Sequence, residues 1–215
     1  MALPLGCAVL VGAAATQRIV ELAWSAHCVH RLRARGARQI SGDRGGAWSA
    51  LVLVHLGLLV LPVAEVLWLA AHAPRWLFWI ASSAYGLAQL LRLWAILSVG
   101  QRWNVRAEVF PAEGFTTRGP YRWIAHPNYL AVLIDFSALP LALGAWRSWI
   151  LLNLVHVPLL AARIRREEHA LAALQGWSAA FAGKRRFLPG RRRAGLAESA
   201  GVDDTSGASS PPPVP

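Results

Sequence analysis

Three long apolar stretches dominate the first half of the chain, over Leu3–Trp24, Ala47–Ala71 and Trp76–Val99. A helix needs about 20 apolar residues to cross the hydrocarbon core of a bilayer, and each stretch reaches that length. Lipid offers no partner to free backbone N–H and C=O groups, so a helix is the expected form of each stretch. The pattern therefore predicts three transmembrane helices.

Two shorter apolar stretches follow, over Tyr129–Gly144 and Ser148–Ala162. Only a few residues separate them, which predicts a tight helical hairpin that turns at Gly144, Ala145 and Trp146. Such a hairpin either crosses the membrane twice or enters and leaves it on one side. Together the five stretches predict an all-α polytopic membrane bundle of about five transmembrane helices.

The composition agrees with a membrane protein and disagrees with a soluble enzyme. Of the 215 residues, 55% are hydrophobic and only 15% are charged, against about 25% charged residues in soluble domains. The net charge of +11 is better explained by basic flanks of membrane spans than by a nucleic-acid partner. Cys7 and Cys28 lie about 30 Å apart in one predicted helix, so no disulfide is expected between them.

The distribution of basic residues predicts the orientation. In a topology with five spans, all but four of the 22 Lys and Arg residues lie on one side of the membrane. Cytoplasmic segments carry the excess of basic residues, so the N-terminus is predicted outside and the C-terminus in the cytoplasm. We divide the chain into an integral membrane domain over residues 1–189 and a disordered tail over residues 190–215, which is rich in Arg, Gly, Ser and Pro.

Charged residues within the spans must face the bundle interior, because each costs roughly 2.5 to 3.5 kcal/mol at the centre of a bilayer. Arg18 and Glu21 are three residues apart on one helix and are expected to pair. Glu65 and Arg92 lie in different spans, and we predict a second structural pair between them. Other polar residues within the spans are Gln89, Asp135, Asn153 and His156.

Two polar stretches flank the predicted hairpin. The first, over 119–129, reads GPYRWIAHPNY; Gly-Pro marks a turn, and Pro127 suits the first position of a helix. The second, over 163–171, reads RIRREEHAL. Each alone has an ordinary interpretation, as an interfacial turn or as a salt-bridged helix extension. In the predicted topology both lie on the cytoplasmic side at the two ends of the hairpin, so we expect them to meet in one pocket.

Together these stretches resemble the isoprenylcysteine carboxyl methyltransferase family, including bacterial members similar to alkylpyrone O-methyltransferases. The resemblance is carried by G-P-Y-x-x-x-x-H-P-N-Y followed, after one helical hairpin, by R-x-x-x-E-E. It implies an integral membrane O-methyltransferase that uses S-adenosylmethionine, with its active site facing the cytoplasm. The implied acceptor is lipophilic, either an isoprenylcysteine-type carboxylate or the hydroxyl of a polyketide alkylpyrone.

The resemblance also implies roles for individual residues. The implied cofactor-binding residues are Tyr121, His126, Pro127, Tyr129 and Glu167. Arg163 and Glu168 are implied as catalytic residues near the centre of methyl transfer. This chain departs from the family at Ala125, where an Arg is usual, and at Trp177 and Phe181, where tyrosines are usual. No metal site is expected, because the seven histidines form no ligand pattern.

Three other functions stay open from the sequence. A phospholipid N-methyltransferase takes a neutral amine, for which a base matters more than Arg163. A membrane reductase that uses NADPH needs a basic cluster for the cofactor phosphates, such as Lys184, Arg185 and Arg186. A non-catalytic scaffold would use the basic loops to bind anionic lipid headgroups. Membrane lipids are partners in every case, and no obligate protein partner is indicated.

Overall fold

The helices of the computed structural model follow the apolar stretches of the sequence. The structure describes residues 3–36, 46–106, 115–181 and 184–188, and the predicted tail over 190–215 lies outside them. Within the described ranges there are helices and turns and no β-strand, which confirms the all-α prediction. The helices are α1 Leu5–Ala34, α2 Ala47–Leu69, α3 Arg75–Val99, α4 Pro127–Leu143, α5 Trp146–Ala172 and α6 Trp177–Phe181.

Three helices, α1, α2 and α3, are long and apolar enough to cross a membrane. Large apolar side chains cover their outward faces; the exposed fraction is 81% for Leu5, 66% for Leu53 and 69% for Leu97. Lipid accommodates such a surface, whereas water does not. α4 is a shorter apolar helix of 17 residues. The prediction of a polytopic membrane bundle is therefore confirmed, while the number of crossings and the orientation stay predictions.

The turn between α4 and α5 lies where the sequence predicts it. Gly144 follows the last residue of α4 and has a φ of +78°, and α5 begins two residues later at Trp146. A Cβ atom at Gly144 would lie 2.3 Å from the carbonyl carbon of His72. The loop between α2 and α3 thus packs directly on this turn, and both the left-handed backbone and the lack of space require glycine.

α4 is the central helix of the bundle. It packs mainly against α3 on one side and α5 on the other, and its residues Phe136, Leu139 and Ala142 are almost completely buried. α2 packs against α5 as well. Arg163, in the C-terminal half of α5, lies over the ring of Trp48 near the start of α2. The N-terminal end of α2 is therefore beside the C-terminal half of α5. α2 and α5 are therefore antiparallel neighbours.

Buried charges connect α1, α3 and α4. Arg18 pairs with Glu21 at 3.1 Å, as predicted, and also with Asp135 of α4 at 2.6 Å. Arg92 of α3 is only 1% exposed and pairs with the same two carboxylates. Two guanidinium groups and two carboxylates therefore compensate one another's charge inside the bundle.

The predicted pair between Glu65 and Arg92 is wrong. Glu65 accepts hydrogen bonds from the backbone N–H groups of Arg147, at 3.2 Å, and of Ser148, at 2.7 Å. The first N–H groups of a helix have no partner within that helix, and the positive end of the helix dipole favours a carboxylate. Glu65 of α2 thus completes the start of α5 instead of neutralising a cation.

Candidate active site

The first motif folds into a short turn followed directly by α4. Gly119–Arg122 forms a 3₁₀ turn, His126 precedes the helix and Pro127 is its first residue. The ring of a proline fixes a φ that suits the start of a helix, where no N–H partner is needed. Gly119 has a φ of +57°, and a Cβ there would lie 1.9 Å from Oγ of Ser98. The turn is therefore held against the end of α3 at a position that accepts only glycine.

The C-terminal segment, residues 184–188, lies along this turn. The backbone N–H groups of Ala125 and His126 donate to the carbonyl oxygens of Arg185 and Arg186, each at 3.0 Å. These N–H groups immediately precede α4, where the helix itself offers no acceptor. Two parts of the chain about 60 residues apart are thus joined by backbone hydrogen bonds.

Glu168 of α5 connects the turn with the C-terminal segment. Nε2 of His126 lies 3.1 Å from Oε1 of Glu168, and Arg186 donates to both carboxylate oxygens at 2.8 and 2.6 Å. The hydrogen bond with His126, and then that with Arg186, lower the pKa of Glu168 to about 2. Glu168 is therefore ionised at neutral pH and fixes the position of the imidazole.

Arg163, Tyr129 and Glu167 form a chain of hydrogen bonds. Nε of Arg163 donates to the Tyr129 hydroxyl at 2.9 Å, and that hydroxyl donates to Oε2 of Glu167. Arg163 also donates to the carbonyl oxygen of Val105 and lies 6.0 Å from the centroid of the Trp48 ring. Hydrogen bonds and aromatic rings therefore both fix the plane of the guanidinium group.

A cavity of about 320 Å³ connects these groups. On α5 it is lined by His156, Leu160, Arg163 and Glu167, which recur every three or four residues and so share one helix face. The polar end of the cavity is formed by Tyr121, His126, Asn128, Tyr129, Arg163 and Glu167. The apolar lobe is formed by Leu51, Val52, Leu56, Leu59, Val132 and Leu160.

The structure brings most of the predicted site residues to this cavity. Those that line it are Tyr121, His126, Tyr129, Arg163 and Glu167. Pro127 and Glu168 are not among the lining residues; Pro127 begins α4, and Glu168 reaches the cavity only through His126. Burial raises the pKa of the Tyr121 hydroxyl, so this hydroxyl keeps its proton and remains a donor.

The positions that depart from the family pattern also line the cavity. Trp177 and Phe181 of α6 stack with ring centroids 5.3 Å apart, and Phe181 lies 5.8 Å from Phe115. All three rings line the cavity, as does Ala125. Aromatic side chains thus cover this part of the cavity in place of tyrosine hydroxyls.

Two further residues of the site were not predicted. Oδ1 of Asn128 and Nε1 of Trp103 are buried at the cavity, and neither has a hydrogen-bond partner in the described part of the chain. Asn128 lies within the HPNY motif, so the motif itself was the signal for it. Trp103 follows α3 in a segment without a motif, and only the folded chain brings it to the site.

The comparisons with known proteins point to one family. Residues 81–173, from α3 through α5, match the family model described as "Isoprenylcysteine carboxyl methyltransferase (ICMT) family". The Bacillus subtilis (strain 168) protein described as "Uncharacterized protein YpbQ" is 29% identical to this chain over 163 residues, which make up 75% of this chain and 94% of that protein. The match to the family model includes both motifs of the cavity. Over residues 81–173, this integral membrane protein is therefore similar to the isoprenylcysteine carboxyl methyltransferase family.

Proposed function

We propose that the protein is an S-adenosylmethionine-dependent integral membrane O-methyltransferase that acts on a lipophilic acceptor. The observation that carries the proposal is the position of Arg163 at the polar end of a cavity that also has an apolar lobe. The family match supports methyl transfer as the reaction. The proposed acceptor is an isoprenylcysteine-type carboxylate or the acidic hydroxyl of a polyketide alkylpyrone.

Arg163 is proposed to hold the acceptor oxygen. A guanidinium group stays charged at physiological pH and binds anionic oxygens with two parallel hydrogen bonds. The anions of a carboxylic acid and of an acidic enol both present such an oxygen. The alkyl part of the acceptor would lie in the apolar lobe, where each buried CH₂ group contributes about 0.8 kcal/mol. Burial then supplies affinity, while Arg163 orients the oxygen for in-line attack on the methyl group.

The polar end suits a ligand as polar as the proposed cofactor. The acceptor Oδ1 of Asn128 and the donor Nε1 of Trp103 lack partners there among the described residues, and a buried polar atom without a partner is unfavourable. The residues proposed to hold the cofactor are Tyr121, His126, Pro127, Tyr129 and Glu167, with Pro127 acting by fixing the start of α4. When bound, S-adenosylmethionine supplies an electrophilic methyl group on a sulfonium.

Glu168 is proposed as a positioning residue. Its carboxylate holds the imidazole of His126 and the guanidinium of Arg186 in one network. His126 in turn faces the cavity. Loss of Glu168 would free the imidazole and loosen the C-terminal segment, so we expect lower activity together with weaker cofactor binding.

Calorimetric titration with S-adenosylhomocysteine is the experiment that tests the proposal. We expect saturable binding by the purified protein in lipid nanodiscs. Binding by Asn128→Ala should be weaker, because this substitution removes the hydrogen-bond acceptor Oδ1. Transfer of a labelled methyl group to a farnesylcysteine and to a long-chain alkylpyrone then identifies the acceptor. The absence of any binding by the folded wild-type protein would contradict the proposal.

The other functions predict different results. A phospholipid N-methyltransferase would cause methylated ethanolamine lipids to accumulate in an expression host, and mass spectrometry would detect them. A reductase would be stabilised thermally by NADPH and not by S-adenosylhomocysteine, and a scaffold would be stabilised by neither. The family match favours none of these three functions.

A further inference from the structure

A pair of histidines forms a polar layer within the apolar lobe. His55 of α2 and His156 of α5 both line the cavity, with ring centroids 6.0 Å apart. His55 lies seven residues after Trp48 on α2, and His156 lies seven residues before Arg163 on α5. Trp48 and Arg163 are themselves in contact. Seven residues of helix span about 10 Å. The histidine layer therefore lies about 10 Å deeper along the helices than Arg163.

Much of the hydrogen-bonding capacity of this layer is unused among the residues that the structure describes. Nδ1 of His55 bonds to the carbonyl oxygen of Leu51 at 2.7 Å, so Nδ1 is the donor and Nε2 is left as the acceptor of the neutral ring. His156 is completely buried, and neither of its ring nitrogens has a partner in the described part of the chain. Its ring stacks on Phe136 at 3.7 Å with an angle of 3° between the planes, which fixes its orientation.

The charges near the layer select a neutral ligand. Arg18 lies within electrostatic reach of both imidazoles and also lines the cavity. Its guanidinium already pairs with Glu21 and Asp135. The charge of Arg18 is therefore compensated by these carboxylates, and a group that both donates and accepts one hydrogen bond fits the layer best.

We propose that His55 and His156 bind a hydroxyl group carried by the lipophilic part of the acceptor, about 10 Å from the oxygen that is methylated. The hydroxyl donates to Nε2 of His55 and accepts from the N–H group of His156. A plain alkyl chain in the same place offers no partner to Nε2 of His55 or to the His156 ring, which disfavours its binding. The inference rests on the proposed function, because it takes Arg163 as the group that holds the methylated end.

Two matched probes test this site: stearic acid, and stearic acid with one hydroxyl on the tenth carbon. Their binding to the protein in nanodiscs is measured by competition with a fluorescent fatty acid. We expect the hydroxylated acid to bind the wild-type protein about tenfold more tightly. In His55→Phe and His156→Phe the preference is expected to reverse, because an unpaired hydroxyl in an apolar lobe is unfavourable. Comparison of ratios between variants cancels the different partition of the two acids into lipid.

The matched control is His27→Phe, since His27 lies on α1 outside the cavity and stacks on Trp24. This variant should keep the wild-type preference. The same ratio of the two affinities in the wild-type protein, in His55→Phe and in His156→Phe would overturn the inference. Titration with S-adenosylhomocysteine on the same samples separates the two proposals. Binding of S-adenosylhomocysteine without a preference for the hydroxylated acid would contradict only the histidine site. A preference for the hydroxylated acid without binding of S-adenosylhomocysteine would contradict only the methyltransferase proposal.

Discussion

Arg163 and Arg165 are two residues apart on α5 and have different surroundings. Arg163 faces the cavity and contacts Tyr129 and Trp48, whereas Arg165 is exposed. We predict that Arg163→Ala lowers kcat/KM for methyl transfer by about a hundredfold or more, because a preorganised donor to the reacting oxygen is lost. Arg163→Lys should recover little, since an ammonium group cannot reproduce the fork. The labelled-methyl assay measures both effects, and Arg165→Ala should retain activity; a wild-type rate in Arg163→Ala would refute the assignment.

Glu168 gives a pH dependence whose sign follows from its pKa. The pKa is about 2 in the folded chain, against 4.5 for a free carboxyl. Glu168 therefore stabilises the fold above pH 4.5, and this contribution is lost as the pH falls toward 2. We expect the melting temperature of Glu168→Gln to change less than that of the wild type between pH 6 and pH 3. Parallel curves of melting temperature against pH for the two proteins would show that the hydrogen bonds of Glu168 with His126 and Arg186 do not contribute to stability.

At the residue scale, the sequence predicts contacts within one element better than contacts between elements. The pair of Arg18 and Glu21 follows from their spacing on one helix. The partner of Glu65 is the start of another helix, and no local pattern indicates which helix end will face a buried carboxylate. No local pattern indicates that Trp103 will reach the cavity either, so it was not predicted. Asn128, in contrast, lies in the HPNY motif, which the sequence analysis had already singled out.

At the element scale, the hairpin of α4 and α5 depends on one glycine. Gly144→Ala places a methyl group against the backbone of His72 and forces a left-handed L-residue, which costs roughly 1 to 2 kcal/mol before any clash is counted. We predict a lower melting temperature in detergent. Gly12→Ala on α1 is the matched control, because nothing lies within 4 Å of a Cβ there. It should be neutral or stabilise by up to about 1 kcal/mol; equal effects of both substitutions would contradict the account.

The helices themselves were largely predictable because lipid removes the alternatives. Apolar runs of sufficient length must satisfy their own backbone, so α2 and α3 begin and end within a few residues of the predicted stretches. α5 continues well beyond its apolar part, through Arg163 and Glu168. The C-terminal part of α5 is polar, so a search for apolar stretches does not include it. The sequence therefore placed both motifs at the ends of the hairpin without giving the full length of α5.

At the scale of the whole molecule, the orientation remains a prediction from the basic residues. Arg122 lies in the turn before α4, and Arg147 lies at the start of α5; both are exposed. We expect a membrane-impermeant maleimide to label Arg147→Cys in intact cells, and Arg122→Cys only after permeabilisation. The buried Cys7 and Cys28 should contribute little background. Failure of Arg147→Cys to be labelled in intact cells would instead indicate a hairpin that enters and leaves the membrane on the cytoplasmic side.

The backbone pairing of Ala125 and His126 with Arg185 and Arg186 also has a consequence for biosynthesis. Every long helix that the structure describes precedes Arg185 in the chain, so the translocon can integrate these helices before Arg185 and Arg186 have left the ribosome. The turn before α4 therefore lacks its two backbone hydrogen bonds to Arg185 and Arg186 until Arg186 has been synthesised. We expect a polypeptide terminated between α6 and Arg185 to be inserted and retained in the membrane but to lack activity, because the turn before α4 would lack both of these backbone hydrogen bonds.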